Sequence, residues 1–310
     1  MIDILLSTYN GARFVREFIG SLSRQTCRDF RLLVRDDGSD DATVAAVREA
    51  AADFDLRDAV FVPSSGRRLG VVRSFGELLA CSSGRDVMFA DQDDLWHPDK
   101  VAEMRKLLRE AEAKYGEETP LLLHTDLRVC GEDGSLLADS FIRWQDFPRR
   151  AGTLTSLMIQ NNVTGCAMMI NRALRERLRL PFPEEAICHD WYLALLAAAV
   201  GRVVFADRIL VDYRVHADNV FGAPRYVSGG WLGWLRRGRG ELSRRLVLKQ
   251  RQAGAFLRQY GDLLGARERE AVGAWAGIGG LSKFGRIAVC RAFGFRMNTA
   301  ARNLGMWWAI

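Results

Sequence analysis

Four short apolar runs recur through the first ninety residues at intervals of roughly thirty: residues 2–6, 30–34, 60–62 and 87–90. Between them lie helical patterns. The first carries Phe14, Val15, Phe18, Ile19 and Leu22, the second covers residues 40–52, and the third residues 71–80. After the fourth run, Pro98 stands at a first turn and predicts a helix to about residue 114. Strands alternating with helices at this spacing predict βαβ units on a parallel sheet. Ligands of such sheets bind at the carboxyl ends of the strands.

Three of the four runs stop in polar clusters. The first ends in Ser7-Thr8-Tyr9-Asn10-Gly11, whose amides, hydroxyl and ring suit a nucleoside and equally suit a helix N-cap loop. The second ends in Asp36-Asp37-Gly38-Ser39-Asp40-Asp41-Ala42-Thr43. Gly38 supplies a tight turn, and Asp40 or Asp41 caps the next helix. One carboxylate suffices for a cap, so four in six residues imply another task; Asp37 is placed to accept the N–H of a uracil or thymine ring. The fourth run ends in Asp91-Gln92-Asp93-Asp94-Leu95-Trp96, with three carboxylates in four positions. At ~4 Å two like charges repel by ~1 kcal/mol in water and ~4 kcal/mol at an effective dielectric of 20. A cation offsets that cost. Neither usual glycine-rich phosphate loop is present, so phosphate charge must be met through the same cation.

Charge is unevenly spread. Residues 1–222 hold 28 Lys and Arg against 34 Asp and Glu, whereas residues 223–310 hold 16 against 4. The body is therefore acidic and the tail basic. The six cysteines form no C-x-x-C pair and read as reduced core residues. No charged n-region opens the chain, and no apolar stretch reaches the ~18 residues that span a bilayer. A cytoplasmic location follows as the expectation.

Beyond residue 120 the pattern is mixed. Residues 121–129 and 165–170 read as strands, 189–200 as a helix, and 203–206 and 209–213 as two short strands. FGAPRYVSGG reads as a linker, followed by Arg-rich helices over 242–260, 267–277 and 281–304.

STYNG, DDGSDDAT and DQDDLWHPDK in that order resemble the family 2 glycosyltransferases, and with NNVTGCAMMINR, HDWYL and YRVHADN the chain looks most like their bacterial rhamnosyltransferase branch. The resemblance covers roughly residues 1–220. It implies an α/β, Rossmann-like nucleotide-diphospho-sugar transferase fold of A type with a mostly parallel central sheet. Residues 1–222 would form the catalytic domain, with 1–115 the nucleotide-sugar half and 116–222 the acceptor side, and 223–310 a basic helical extension. Thr8, Tyr9, Asn10, Asp37, Asp91, Gln92 and Arg214 would hold the nucleotide sugar. Asp93 and His216 would hold Mg²⁺ or Mn²⁺, and Asp190 would be the general base of an inverting transfer. Asn162, Thr164, Gly165, His189 and Trp191 would line the sugar or acceptor.

Elementary chemistry agrees with those roles. Mg²⁺ and Mn²⁺ favour oxygen ligands and bind through carboxylates plus substrate phosphates. Asp190 also stands where a helix N-cap would, and capping would stabilise its charge and weaken it as a base, while burial beside Trp191 would do the reverse. The implied donor is dTDP- or UDP-linked, with dTDP-L-rhamnose first, and the acceptor is a polyprenyl-linked or polysaccharide chain of the bacterial surface. WLGWLRRGRGELSRR, residues 231–245, suits a peripheral contact with an anionic membrane or a helical cap over the acceptor side; no nucleic-acid motif appears. The competing reading is a non-catalytic sugar-nucleotide-binding scaffold of the same fold.

Overall fold

The structure, a computed structural model, describes residues 1–56, 58–64, 66–148, 152–216 and 230–310, with backbone only over 230–239. The elements run β1 (Ile2–Thr8), α1 (Val15–Ser23), β2 (Phe30–Asp36), α2 (Thr43–Asp53), β3 (Val60–Phe61), α3 (Val71–Cys81), β4 (Asp86–Asp91), β5 (Leu95–Trp96), α4 (Lys100–Tyr115), β6 (Leu121–Gly131) and β7 (Leu136–Ala138). Next come α5 (Phe141–Trp144), α6 (Leu154–Ile159), β8 (Met168–Ile170), α7 (Arg172–Arg175), α8 (His189–Val200) and β9 (Arg202–Val215). Four helices finish the chain: α9 (Gly230–Tyr260), α10 (Ala266–Gly277), α11 (Lys283–Phe293) and α12 (Ala300–Ala309).

The chain divides into two compact units. Residues 1–141, 163–182 and 203–223 form the first; 142–162, 183–202 and 224–310 form the second. Residues 142–162 and 183–202 thus group with the C-terminal helices.

The first unit is built on one sheet of order β3-β2-β1-β4-β8-β6-β9-β5, with β7 paired to β6. β3, β2, β1 and β4 run parallel. Beyond β4 the sheet turns antiparallel, in the pairings of β4 with β8, β8 with β6, β6 with β7 and β5 with β9. Ile4, Leu5, Leu6, Leu33, Val34, Phe89 and Ala90 are all buried, so the central strands read as unbroken apolar runs. Phe18, Ile19 and Leu22 of α1 and Phe75 and Leu78 of α3 cover them. Each such side chain contributes about 1.5–3 kcal/mol on burial. The register then does the work that matters for a site. Thr8 pairs with Asp36 and Ser7 with Asp91, so the three polar clusters leave the sheet at one level.

The second unit buries Trp275, Phe256, Tyr260, Phe295 and Tyr192. Tyr192 of α8 meets Phe256 of α9 edge-on, with centroids 5.7 Å apart, and its hydroxyl donates to Gln259 Oε1 at 2.7 Å.

Three expectations need correction. Residues 203–206 and 209–213 are not two strands, because β9 runs through the exposed Asp207 and Arg208 without a turn. The expected helix over 281–304 is two helices: Gly294 ends α11 in a left-handed conformation (φ 69°), and Thr299 caps α12 by accepting from Arg302 N. The strand expected over 165–170 opens as a 3-10 turn, Gly165–Ala167, before β8. The proposed linker FGAPRYVSGG and the side chains of WLGWLRRGR lie outside the described residues. Among the described residues, no helix is long and apolar enough to cross a membrane.

Candidate active site

In the first unit the STYNG loop is held by its neighbours rather than by itself. Gln92 clasps Tyr9 from both sides, accepting from its N–H at 3.0 Å and donating to its carbonyl at 2.9 Å. Asn10 adopts a left-handed φ of 47°; its N–H donates to Ser39 Oγ and its Oδ1 accepts from Asp40 N. Gly11 N donates to Thr43 Oγ1 at 2.7 Å, and a Cβ on Gly11 would collide with the Gln92 carboxamide. Gln92, expected to touch the nucleotide sugar, therefore spends its amide on positioning Tyr9. The Tyr9 ring carries the Arg68 guanidinium 4.0 Å from its centroid, a contact that sequence reasoning missed.

The second loop uses its carboxylates in its own architecture. Asp36 accepts from Thr8 Oγ1, Ser39 Oγ, Gly38 N and Ser39 N. Asp37 is 3% exposed, and accepts from Arg35 and from the Leu69 and Gly70 amides, each at 2.8 Å. A pyrimidine N–H would share an oxygen that already accepts one of these bonds. The physical reason is that Arg35 is itself buried and needs a counter-charge. The N-cap of α2 is Ala42, not Asp40 or Asp41; Asp41, one residue earlier, accepts the Thr43 N–H at 2.9 Å. Asp36 rather than Asp37 lines a cavity of about 380 Å³, shared with Ser39, Arg48, Phe61 and Pro63.

At the third loop, Asp93 Oδ2 lies 2.7 Å from His216 Nε2, bringing together two residues 123 apart in sequence that were expected to hold one cation. Phe14 stacks on the His216 ring at 4.8 Å. Asp94 is fully buried: its Oδ1 accepts from Arg214 N at 3.2 Å, and its Oδ2 has no hydrogen-bond partner. Burial, then Asp93 and Asp91, push its carboxyl well above the usual range. Ligand atoms of Asp91, Asp94 and Cys166 lie within 4.8 Å of one another. Burial keeps the Cys166 thiol protonated, so the donors on offer are hard carboxylate oxygens and one imidazole. Such a set fits Mg²⁺ or Mn²⁺ and not a soft thiolate-seeking metal.

Lys100 sits beneath this loop and was not singled out from sequence, although it closes the DQDDLWHPDK motif. It is fully buried, donates to the Cys166 carbonyl, and places its ammonium 3.3 Å from the Trp96 ring centroid. Burial lowers its pKa to about 7, against the raising pull of Asp94 and Asp91. Trp96 is thus a packing residue behind the loop, edge-on to Phe18 at 5.8 Å. Arg214, expected by a diphosphate, is nearly buried, bonds Glu17 at 2.6 Å and lies 4.9 Å over Phe14. Thr164 precedes the turn at Gly165, also in this unit.

The second unit holds the expected base. Asp190 is in the first turn of α8, two residues past the N-cap Cys188, so it is not the cap itself. Its Oδ1 accepts from Asn161 Nδ2 at 3.2 Å and from Trp191 N, and the Cys188 thiol, held protonated by burial, also bonds it. The Trp191 ring is buried and its Nε1 donates to the Leu157 carbonyl. Asn162 is buried and donates to the Pro148 carbonyl at 3.3 Å. His189 is 5% exposed, and burial pushes its imidazole down to about 3, so it is a neutral interior group rather than an open acceptor contact.

A parallel sheet continued by antiparallel strands, with acidic loops level at its carboxyl ends, defines an A-type glycosyltransferase fold. Residues 3–116 match the model of Glycosyl transferase family 2. Among curated proteins, an uncharacterised glycosyltransferase of Nostoc sp. is 25% identical over 70% of this chain and 66% of its own length. EpsH of Bacillus subtilis, named as a glycosyltransferase, is 28% identical over 71% of this chain and 62% of its own. The chain thus spans slightly under two thirds of these relatives. Among solved structures, TarS of S. aureus gives a TM-score of 0.57 at 15% identity, covering 94% of this chain and 54% of that one. The mannosyltransferase PcManGT of Pyrobaculum calidifontis, solved with GDP-Man and Mn²⁺, gives 0.57 at 19% identity, covering 98% and 77%. Both likenesses concern the fold.

Proposed function

We propose that the chain is a divalent-metal-dependent, inverting glycosyltransferase that moves a sugar from a nucleoside-diphosphate donor to an acceptor hydroxyl. The observation that carries this reading is the Asp93–His216 pair at 2.7 Å beside Asp91 and Asp94, on loops that the register sets level with the Tyr9 loop. Asp93 and His216 would hold Mg²⁺ or Mn²⁺, which would neutralise charge on the departing nucleoside diphosphate as a Lewis acid. Thr8, Tyr9 and Asn10 bind the nucleoside, Asp91 lies toward the ribose or sugar, and Arg214 meets the diphosphate. Asp190 accepts the proton of the acceptor hydroxyl during attack on the anomeric carbon, with Asn161 orienting its carboxylate. Thr164 and Gly165, with Asn162 and Trp191, belong to the sugar or acceptor side.

For the donor, dTDP-L-rhamnose is the first to test, supported by the DQDDLW, HDWYL and YRVHADN motifs. UDP and GDP sugars stand next, because TarS has been solved with UDP-GlcNAc and PcManGT with GDP-Man. A bacterial surface polysaccharide on a polyprenyl carrier, met at the inner face of the membrane, is the acceptor that suits a basic tail of 16 cations against 4 carboxylates. Release of nucleoside diphosphate from these donors, with and without Mn²⁺, tests the reading. Metal-stimulated release is expected, lost in Asp190→Asn while donor binding persists. Donor binding without release under any condition would instead identify a sugar-nucleotide-binding scaffold.

A further inference from the structure

Residues 271–310 hold Lys283, Arg286, Arg291, Arg296 and Arg302, and no Asp or Glu at all. Within this stretch α11 turns an apolar and cationic face outward. Phe284, Ala288, Arg291 and Ala292, spaced i, i+4, i+7 and i+8, share one stripe of the helix, and all four are exposed. Phe284 is 86% exposed, and Leu281, just before the N-cap Ser282, is 40% exposed. The outward stripe of a water-facing helix is ordinarily charged or polar. Here it is an aromatic ring, two alanines and one cation.

This corner is held in shape. Ser282 Oγ accepts from Gly285 N at 3.3 Å, where α11 begins. Arg286 donates to the Gly279 carbonyl at 2.7 Å and the Leu281 carbonyl at 2.8 Å, which ties the preceding turn to the helix. At the far end of α11, Phe293 stacks on Phe295, and the buried Phe295 ring meets Trp275 edge-on at 5.3 Å. Phe284 takes no part in that aromatic packing. Its ring stands in water on a fixed scaffold and forgoes the free energy of burial.

Whatever covers this face must be apolar at the ring and negative around it. A second copy of the chain would set the same cations against themselves, and like charges repel. An anionic bilayer offers both properties, acyl chains for the ring and phosphates for the cations. Lys283 and Arg291 are exposed on either side of Phe284 and Ala288, as such a surface requires.

We infer that the Leu281–Arg291 corner docks the protein on an anionic bilayer, with Leu281 and Phe284 at the acyl boundary and Lys283 and Arg291 on lipid phosphates. Its use in catalysis rests on reading the acceptor as membrane-borne; the docking itself stands on exposure and charge.

The test is co-sedimentation of the full chain with phosphatidylglycerol vesicles, against phosphatidylcholine. Binding to phosphatidylglycerol alone is expected, weakening as salt rises. Phe284→Ser should lower apparent affinity at least ~10-fold, while Phe284→Trp retains it. Lys283→Gln combined with Arg291→Gln should lower it ~30-fold. All these side chains are exposed, so Tm and its rise with UDP and Mn²⁺ should be the same in every variant. Absence of that rise in the unaltered chain would count against the donor reading alone. Equal vesicle binding by Phe284→Ser and the unaltered chain would move the contact elsewhere in the basic tail and overturn the inference. No binding to phosphatidylglycerol would also overturn it, as would a dimer in solution that Phe284→Ser dissociates.

Discussion

The acidic loops of the first unit and the basic helices of the second pose the same electrostatic problem with opposite sign, and they solve it differently. Asp36 and Asp37 are saturated by seven donors from Thr8, Ser39, Arg35 and backbone amides, so their charge is structural. Asp94 keeps an oxygen without a partner, and a buried lysine stands behind it. Lys249 rests on the Ile159 carbonyl and the face of the Trp191 ring. A charge satisfied from within builds the scaffold, and a charge left short of a counter-ion marks where a ligand belongs.

The largest expected break in that contrast comes from Asp93. Asp93→Ala should lower metal-dependent nucleotide release about 10⁴-fold, ~5 kcal/mol of transition-state stabilisation. EDTA should inhibit reversibly, with Mn²⁺ or Mg²⁺ restoring turnover; full rates in metal-free buffer would remove the cation from the mechanism.

Next comes Lys100→Met, which leaves the buried Cys166 carbonyl without its donor. An orphaned buried acceptor costs about 1–3 kcal/mol, readable as a fall in the urea midpoint. An unchanged midpoint would show that this bond contributes nothing to stability.

The buried histidines sharpen the comparison through pH. Unfolded imidazoles titrate near 6.5, whereas burial pushes His124 down to about 4 and His189 to about 3. Between those limits the unfolded chain binds more protons, so stability rises with pH and is lost as pH falls below 6.5. His124→Phe should remove on the order of 3 kcal/mol of that acid-limb loss. Parallel urea curves at pH 7 and pH 4.5 check it, and identical acid sensitivity in the variant would refute it.

The smallest effect is expected at Gly11. An added methyl displaces the Gln92 carboxamide from Tyr9, so Gly11→Ala should lower kcat/KM for the donor about tenfold, ~1.4 kcal/mol. Stability should change little, and a rate equal to that of the unaltered chain would make the Gln92 clasp dispensable.

Much of the first unit was legible in advance because its signals are local. An apolar run reports a buried strand, and a polar cluster after it reports a strand end, so the convergence of STYNG, DDGSDDAT and DQDDLW could be read before any fold was seen. Asp93 and His216 were paired only through family likeness, and the 2.7 Å contact is the tertiary fact beneath it. The sequence neighbourhood of Asp37 says nothing about the buried Arg35 that it also serves. Lys100 was overlooked because a lysine two residues past a proline reads as solvated, and only packing against Trp96 and Cys166 shows otherwise.

The sequence by itself determined the alternation of strands and helices, the acidic strand ends and the sign of the tail, because periodicity and charge are properties of neighbouring residues. Only the tertiary structure decided which carboxylates are spent on the scaffold, that residues 142–162 and 183–202 join the C-terminal helices, and that Lys249 reaches the Ile159 carbonyl. Those outcomes depend on contacts between residues far apart in the chain, and burial of a charge is settled by what surrounds it in space.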